Sequence, residues 1–496
     1  MERNKDRRPK KRVKKVRTRI SPAKRENNRI TFLLGLICSL FVFTILYLSY
    51  FQIVKSDEVA KHSSNKRIYA EQEKTLRGSI FDRNGELLVH SEFDENGVQK
   101  RVYDKTYNYS HIVGYNYKSY GNSGLEESYN TELLNIKTQN SPLVDLQNII
   151  SDDEEKYGND LIITIDDSLQ NKAYKELGDN RGSIIVMDTE TGEIYAMASN
   201  PSFNVSNLNE EWSSIVERED SPLINRATTG LYPPGSIFKI VTATGILEDL
   251  DPEEQYTSTG SITTDGYTLR DFDEIAYGPV GLKDAFRQSV NTYFASRALD
   301  LGSERLQELA RKYKLGENIP FDIPIEKSRF QFGNMSKADL MATSIGQGKT
   351  LATPINMVMM ASAIANDGEM IKPILVKEIR DHKGRSIKTN ETEIISTVTS
   401  PEIAEEIKDM MVTVVNSPGG TGRDAALENI TMAGKTGTAE VEDKASHAWF
   451  TGFAPAEEPK IAVVVMLENV GHTGGKVAAP IAKHMVEEAL DSLIYE

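Results

Sequence analysis

Residues 232–246 read YPPGSIFKIVTATGI. Two prolines and a glycine give way to a run that is apolar almost all round, and inside it stand one serine, Ser236, and one lysine, Lys239. The Pro-Pro-Gly approach predicts a rigid, sharp entry into a helix, because proline fixes φ and glycine tolerates a tight turn. A spacing of three stacks Ser236 and Lys239 on one helix face. Ile237, Phe238, Ile240, Val241 and Ile246 surround the amine with apolar groups. Desolvation disfavours an ammonium there, so Lys239 is a candidate base for Ser236, whose hydroxyl is a poor nucleophile until a neighbour takes its proton. First-turn N–H groups and the helix dipole favour the negative charge that would develop. The alternative is a snorkelling lysine beside a serine that only caps a helix. Ser-x-x-Lys also occurs at Ser21–Lys24 and Ser63–Lys66, where no chemistry is assigned. The motif alone leaves both readings open.

Two later elements bear on the choice. Ser289-Val290-Asn291 lies 53 residues after Ser236, and Lys435-Thr436-Gly437 lies 146 residues after Ser289. Ser-x-Asn is weak alone, since Ser63–Asn65, Ser128–Asn130 and Ser202–Asn204 match it, but Lys-Thr-Gly occurs once. The ordered trio Ser-x-x-Lys, Ser-x-Asn, Lys-Thr-Gly is the set used by penicillin-recognising serine acyltransferases.

The texture around the trio predicts an α+β fold. LIITIDDSLQNKAYKEL reads as a strand and a helix, and RGSIIVMDTETGEIYAMAS as a hairpin about Glu-Thr-Gly. Residues from about 220 to 370 read as largely helical with Gly and Pro breaks. Ser400 is an N-cap with Pro401 at the first helical position. TMAGKTGTAEV, HAWFTGFAP and KIAVVVMLEN read as strands, and APIAKHMVEEALDSLI as a closing helix. One sheet would then be assembled from sequence-distant halves, with helices between them. DHKGRSIKTNETE reads as a surface hairpin loop, and RGSIFDRNGELLVHS as a hairpin in a polar, extended segment.

Charge is divided unevenly along the 496 residues. Residues 1–29 carry 14 Lys and Arg against 3 Asp and Glu, while the rest carries 44 basic and 70 acidic residues. Residues 30–54 contain no charge over 25 residues, about 37 Å of helix, enough to cross a bilayer core. The run is too long for a signal-peptide core, so it reads as an uncleaved anchor. The positive-inside rule places the basic tail in the cytoplasm and the body outside, which displaces a nucleic-acid role for the tail. The only cysteine, Cys38, lies mid-span, so the body has no disulfide and no thiolate metal site. Seven scattered histidines and no His-Glu-x-x-His argue against a zinc hydrolase.

From about residue 157 onward the chain resembles the transpeptidase domain of penicillin-binding proteins. The hairpin at 181–199, SIGQG at Ser344 to Gly348, KTGTAE and AWFTGFAP are similar to that domain's opening hairpin, active-site loop and strands. RGSIFDRNGELL resembles the start of the pedestal of class B enzymes, and its short length resembles the compact PbpA-like members. The resemblance implies four segments: a cytoplasmic tail 1–29, a transmembrane anchor 30–54, a β-rich pedestal 55–157 and a transpeptidase domain 158–496. It implies a fold with an antiparallel sheet flanked by helices and a helical subdomain. It implies peptidoglycan D,D-transpeptidation in bacterial cell-wall synthesis, through acyl-Ser236. Lys239 would be the base, Ser289 and Lys435 a proton relay, and Asn291 a substrate-amide ligand that also orients Lys239. Thr436 and Thr438 would bind the terminal carboxylate, and Gly437 would let substrate lie close. The Ser236 and Thr438 N–H groups would form the oxyanion hole. Expected partners are stem peptides ending in D-Ala-D-Ala, β-lactams as covalent inhibitors and a SEDS-type membrane glycosyltransferase. No cofactor is implied.

Rival readings are weaker. AGKTGT and GQGKT contain Gly-Lys-Thr but lack the earlier glycine of a P-loop. SPGGTG reads as a flexible turn, His447 and Trp449 as packing or rim residues, and His472 as loop. Asp271, Asp273 and Glu274 read as a solvated acidic loop. A D,D-carboxypeptidase shares the trio with water as acceptor. A β-lactamase needs a deacylating base that does not stand out. A bifunctional enzyme needs a glycosyltransferase module that about 100 polar residues do not supply. A β-lactam sensor needs an output domain larger than residues 1–29. An inactive scaffold would not need the full trio.

Overall fold

The computed structural model describes residues 22–51, 75–95, 98–136 and 156–494. The chain divides into two units, Met1–Asn65 and Lys66–Glu496. The first is represented by α1, Pro22–Tyr50. Its stretch Arg29–Tyr50 is 22 residues of high hydropathy with no buried side chains, a candidate membrane span. Thr31 and Thr44 return their hydroxyls to the carbonyls of Asn27 and Leu40 at 2.8 Å. Neither would therefore carry an unsatisfied donor into a bilayer core. The basic residues 1–21 and residues 52–54 of the expected span lie outside the described residues.

After a short strand at Thr75–Leu76 that pairs with Lys156–Tyr157, the second unit continues with β1 (Ile80–Phe81), β2 (Leu87–Phe93) and β3 (Gln99–Tyr103). Next come β4 (Asp160–Ile163), α2 (Asp167–Leu177) and the hairpin β5 (Gly182–Asp188) and β6 (Ile194–Asn200). The middle holds α3 (Lys239–Asp249), the ribbon β7 (Ser261–Thr264) and β8 (Tyr267–Arg270), α4 (Leu282–Gln288), α5 (Asn291–Leu301) and α6 (Pro354–Ala365). Then follow β9 (Val376–Arg380), β10 (Ser386–Thr389), α7 (Pro401–Asn416), β11 (Ala433–Val441), β12 (Lys444–Ala454), β13 (Ile461–Leu467) and α8 (Gly474–Ile494).

The central sheet has the order β6-β5-β13-β12-β11, and each neighbouring pair is antiparallel. The early hairpin thus joins the last three strands, with Ile184 opposite Val465. Side chains alternate across a strand, and both faces here are buried. Ile184, Val186, Val463 and Val465 pack with Leu169 and Ala173 of α2 and with Ala478, Ala482 and Met485 of α8. Ile185, Met187, Val464 and Met466 face the helical layer, which includes Ile240, Met357 and Ile407. Two buried faces explain why IAVVVML is apolar throughout instead of alternating. Every residue of α6 from Pro354 to Ile364 is buried.

A second sheet has the order β10-β9-β4-β1-β2-β3, with only β1 and β4 parallel. The polar N-terminal segment supplies three of its strands. The expected surface hairpin at 381–393 adds the exposed edge strand β10. In the N-terminal part of this unit, Arg77 and Arg101 donate from Nε to the buried Glu126 at 2.6 and 2.7 Å. The mostly helical reading of 220–370 misses the β7–β8 ribbon. Its turn, Asp265-Gly266, has φ of +51° and +80°, and Asp-Gly is a strong hairpin signal.

Candidate active site

Ser236 sits in a 3-10 turn, Gly235–Phe238, that runs directly into α3. The expected α-helical start is therefore a tighter one. Residues i and i+3 eclipse at three residues per turn, which places Lys239 over Ser236. Four contacts pin the approach. Tyr232 exchanges backbone bonds with Ala352 at 3.0 and 2.8 Å, Gly235 N donates to Gly346 O at 2.9 Å, and Trp449 Nε1 donates to Pro233 O at 3.1 Å. Gly346 belongs to the SIGQG loop, which Thr242 also holds through Ser344 O at 2.7 Å.

Lys239 is fully buried. Its Nζ donates to Ser289 O at 2.7 Å and Asn291 Oδ1 at 2.7 Å, and lies 3.1 Å from Ser289 Oγ. Burial, and then the Lys435 charge, hold it well below the usual lysine range, with Asp271 opposing. The two carbonyl oxygens can only accept. A neutral amine therefore spends both N–H groups on them and keeps its lone pair for a hydroxyl proton.

Ser289 ends α4 in the left-handed region, φ +59° and ψ +40°. Such a conformation is uncommon for a residue with a Cβ and clusters at functional sites. Here one residue offers both its carbonyl and its hydroxyl to Lys239. Lys435 reaches the same hydroxyl from β11 at 3.1 Å and also Thr436 O at 3.1 Å. Burial lowers Lys435 to about 7. Ser289 Oγ thus lies between two amines. Asn291 is held by its other end, because Nδ2 donates to Arg270 O at 2.9 Å.

The predicted residues separate into groups. Lys239, Ser289, Asn291 and Lys435 meet. Ser236 adjoins them by the 3-10 turn, and among the described residues no hydrogen bond reaches its Oγ. Thr436 turns its hydroxyl to Thr421 at 2.7 Å, and Thr438 Oγ1 accepts from Gly474 N at 3.4 Å. A Cβ on Gly235 would lie 2.8 Å from Thr438 O, so the Ser236 turn abuts the edge strand β11. A Cβ on Gly437 would lie 3.0 Å from both Pro234 O and Trp449 Cβ, so packing of the strand on that turn already favours glycine there.

The acidic loop needs correction. Asp273 and Glu274 are exposed, but Asp271 is buried and bonded to Ser258 and Thr292. Its partners, the Thr292 N–H and hydroxyl at the start of α5 and the Ser258 hydroxyl, are donors that need an acceptor more than the loop needs water. His447 packs edge-on against Tyr232 at 5.5 Å and accepts from Asn469 N at 3.0 Å. His472 is exposed. Among the described residues no group of three His, Cys, Asp or Glu could hold a metal. Arg270 was not singled out by the sequence, Thr421 was read only as part of the flexible SPGGTG turn, and Asp271 only as part of a solvated acidic loop.

Residues 182–487 match the family model for the penicillin-binding protein transpeptidase domain, and 77–160 match the penicillin-binding protein A dimerisation domain. The chain belongs to the penicillin-binding protein transpeptidase family. A relative in this family, peptidoglycan D,D-transpeptidase PbpA of Mycolicibacterium smegmatis, is 30% identical over 88% of this chain and 94% of its own. Penicillin-binding protein A of M. tuberculosis, solved as a ceftriaxone acyl-enzyme complex, superposes with a TM-score of 0.78 at 27% identity, covering 85% of this chain and 99% of that one. The D,D-transpeptidase domain of a peptidoglycan glycosyltransferase from Eggerthella lenta gives 0.75 at 30% identity, with coverage of 85% and 99%. The expected fold of this family is the one observed.

Proposed function

We propose that this chain is a peptidoglycan D,D-transpeptidase that works through acyl-Ser236 and is inhibited by β-lactams. The observation that carries the reading is the convergence of Lys239 and Lys435 on Ser289, with Asn291 holding Lys239, beside the Ser236 turn. The names of its relatives and the acyl-enzyme of a structural neighbour support it.

Ser236 Oγ attacks the carbonyl of the penultimate D-Ala of a stem peptide while Lys239 Nζ takes its proton. The Ser236 and Thr438 N–H groups receive the oxyanion. One such donor is worth roughly 10²–10³ in rate. The proton returns through Ser289, with Lys435 on its far side, to the leaving D-Ala amine as the C–N bond breaks. An amine of a second stem then attacks the ester, Lys239 accepts its proton, and Ser236 is regenerated with a new amide. Asn291 fixes Lys239 and offers its amide to the substrate. Thr438, half-buried at the strand edge, presents a hydroxyl to the terminal carboxylate, with Thr436 behind it sharing its own with Thr421.

Residues 55–157 serve as pedestal and 158–496 as the catalytic domain. Residues 30–54 anchor the chain, with residues 1–29 cytoplasmic and the body outside, where cell-wall stems are. A SEDS-type membrane glycosyltransferase is the partner proposed for anchor and pedestal. Incubating the full chain in detergent with a D-Ala-D-Ala stem substrate tests the second half-reaction. Dimeric muropeptides are expected. Trimmed stems alone would make the enzyme a carboxypeptidase.

A further inference from the structure

The N-cap of α5 is Val290, which has no side chain able to accept a hydrogen bond. The first N–H groups of a helix lack intrahelical partners. Asp271, in the loop after β8, fills that role from 21 residues away. Its Oδ1 accepts from Thr292 N at 2.9 Å, and its Oδ2 accepts from Thr292 Oγ1 and Ser258 Oγ at 2.7 Å each. Asp271 N is itself tied to Gly260 O at 2.9 Å. The preceding residue supplies Arg270 O, which holds Asn291 Nδ2. Two consecutive loop residues therefore grip two consecutive helix residues. That grip leaves Asn291 Oδ1 free to meet Lys239.

We infer that Asp271 is a positioning residue for acylation: its buried carboxylate sets the start of α5, and with it the Asn291 that Lys239 grips, and stands next along the chain to the Arg270 carbonyl that holds Asn291. Among the described residues no Lys or Arg pairs with Asp271. The charged groups bearing on Lys239 are Lys435 from β11 and Asp271 from this loop, and they act in opposite directions. The Tyr256 and Tyr277 phenols also face Asp271 and are pushed up, by burial first. The arrangement balances the site. Lys435 favours the neutral amine that accepts the Ser236 proton. Asp271 keeps that amine basic enough to hold the proton once taken.

The inference rests on Ser236 and Lys239 acting as proposed above. The test is the pH profile of penicillin acylation of the full chain in detergent, read by intact mass. In Asp271→Asn the cap geometry is retained, because the Ser258 and Thr292 hydroxyls can rotate to accept from the amide, while the charge is removed. The acid limb is expected to move to lower pH by about one unit, with the thermal midpoint held. Asp271→Ala loses the cap as well. Its plateau rate is expected to fall about 100-fold, the cost of a misplacement of about 1 Å. A purely structural Asp271 would lower the midpoint and plateau without moving the limb. An Asp271→Asn limb that coincides with the unsubstituted one overturns the inference. An unsubstituted chain that takes no label at Ser236 overturns the function itself, which keeps the two failures apart.

Discussion

Lys239 is fully buried, and burial, followed by the Lys435 charge, favours its free base and holds it well below the ordinary lysine range. This is the condition a general base has to meet. The acid limb of penicillin acylation in the unsubstituted chain is therefore expected well below 10.5, the ordinary value for lysine. The Lys435 charge lowers Lys239, so Lys435→Ala must raise it. The acid limb then moves to higher pH, opposite to Asp271→Asn, and the plateau falls by roughly 100-fold or more for loss of the proposed relay group. A second-order acylation rate constant measured across pH reads both effects, and a limb unmoved in Lys435→Ala contradicts the electrostatic account. At this scale the sequence carries the residues whose signal is local. The spacing of three between Ser236 and Lys239 becomes informative only with the short motifs of Ser289, Asn291 and Lys435 following in order. Asp271 was read as part of a solvated loop because its meaning comes from Ser258 and Thr292, which only the fold brings beside it.

Among the elements, the turn that carries Ser236 is the most constrained. Gly235 has φ +55°, and its missing Cβ leaves room for Thr438 O. Gly235→Ala is expected to cost roughly 1–3 kcal/mol for a strained left-handed residue and to push the turn off β11. Thermal unfolding should show the loss, and acylation should slow together with it, because the proposed oxyanion hole spans turn and strand. Unchanged stability and rate in this variant would contradict that geometry. The elements most legible in the sequence are those with a turn or cap written beside them. The β5–β6 hairpin has Glu-Thr-Gly, and α7 has Ser400, whose side chain caps Ile403 N. The 3-10 entry to α3 was less legible, since apolar periodicity over a few residues does not separate three residues per turn from 3.6. The β7–β8 ribbon was obscured by helical surroundings, although its Asp-Gly turn was present.

At the scale of the whole molecule, a basic N-terminal tail, a 22-residue apolar helix and an acidic body follow one another along the chain. The positive-inside rule then sets the proposed orientation. In a Cys38→Ser background, which lacks any other cysteine, a membrane-impermeant maleimide applied to intact cells should label Lys388→Cys on the exposed strand β10 and spare Ser21→Cys. The reverse pattern contradicts the orientation. The catalytic sheet was foreseen as a union of distant halves, and the order β6-β5-β13-β12-β11 is that union. The second sheet was not foreseen, because its pairing of strands at 80–103 with strands at 160–163 and 376–389 leaves no local trace. The account as a whole stands on Ser236 as the acylated residue. Treating the full chain with labelled penicillin and mapping the adduct by peptide mass tests this directly. The label is expected on the peptide containing Ser236 and absent from Ser236→Ala, whereas a label elsewhere, or one that survives Ser236→Ala, contradicts it.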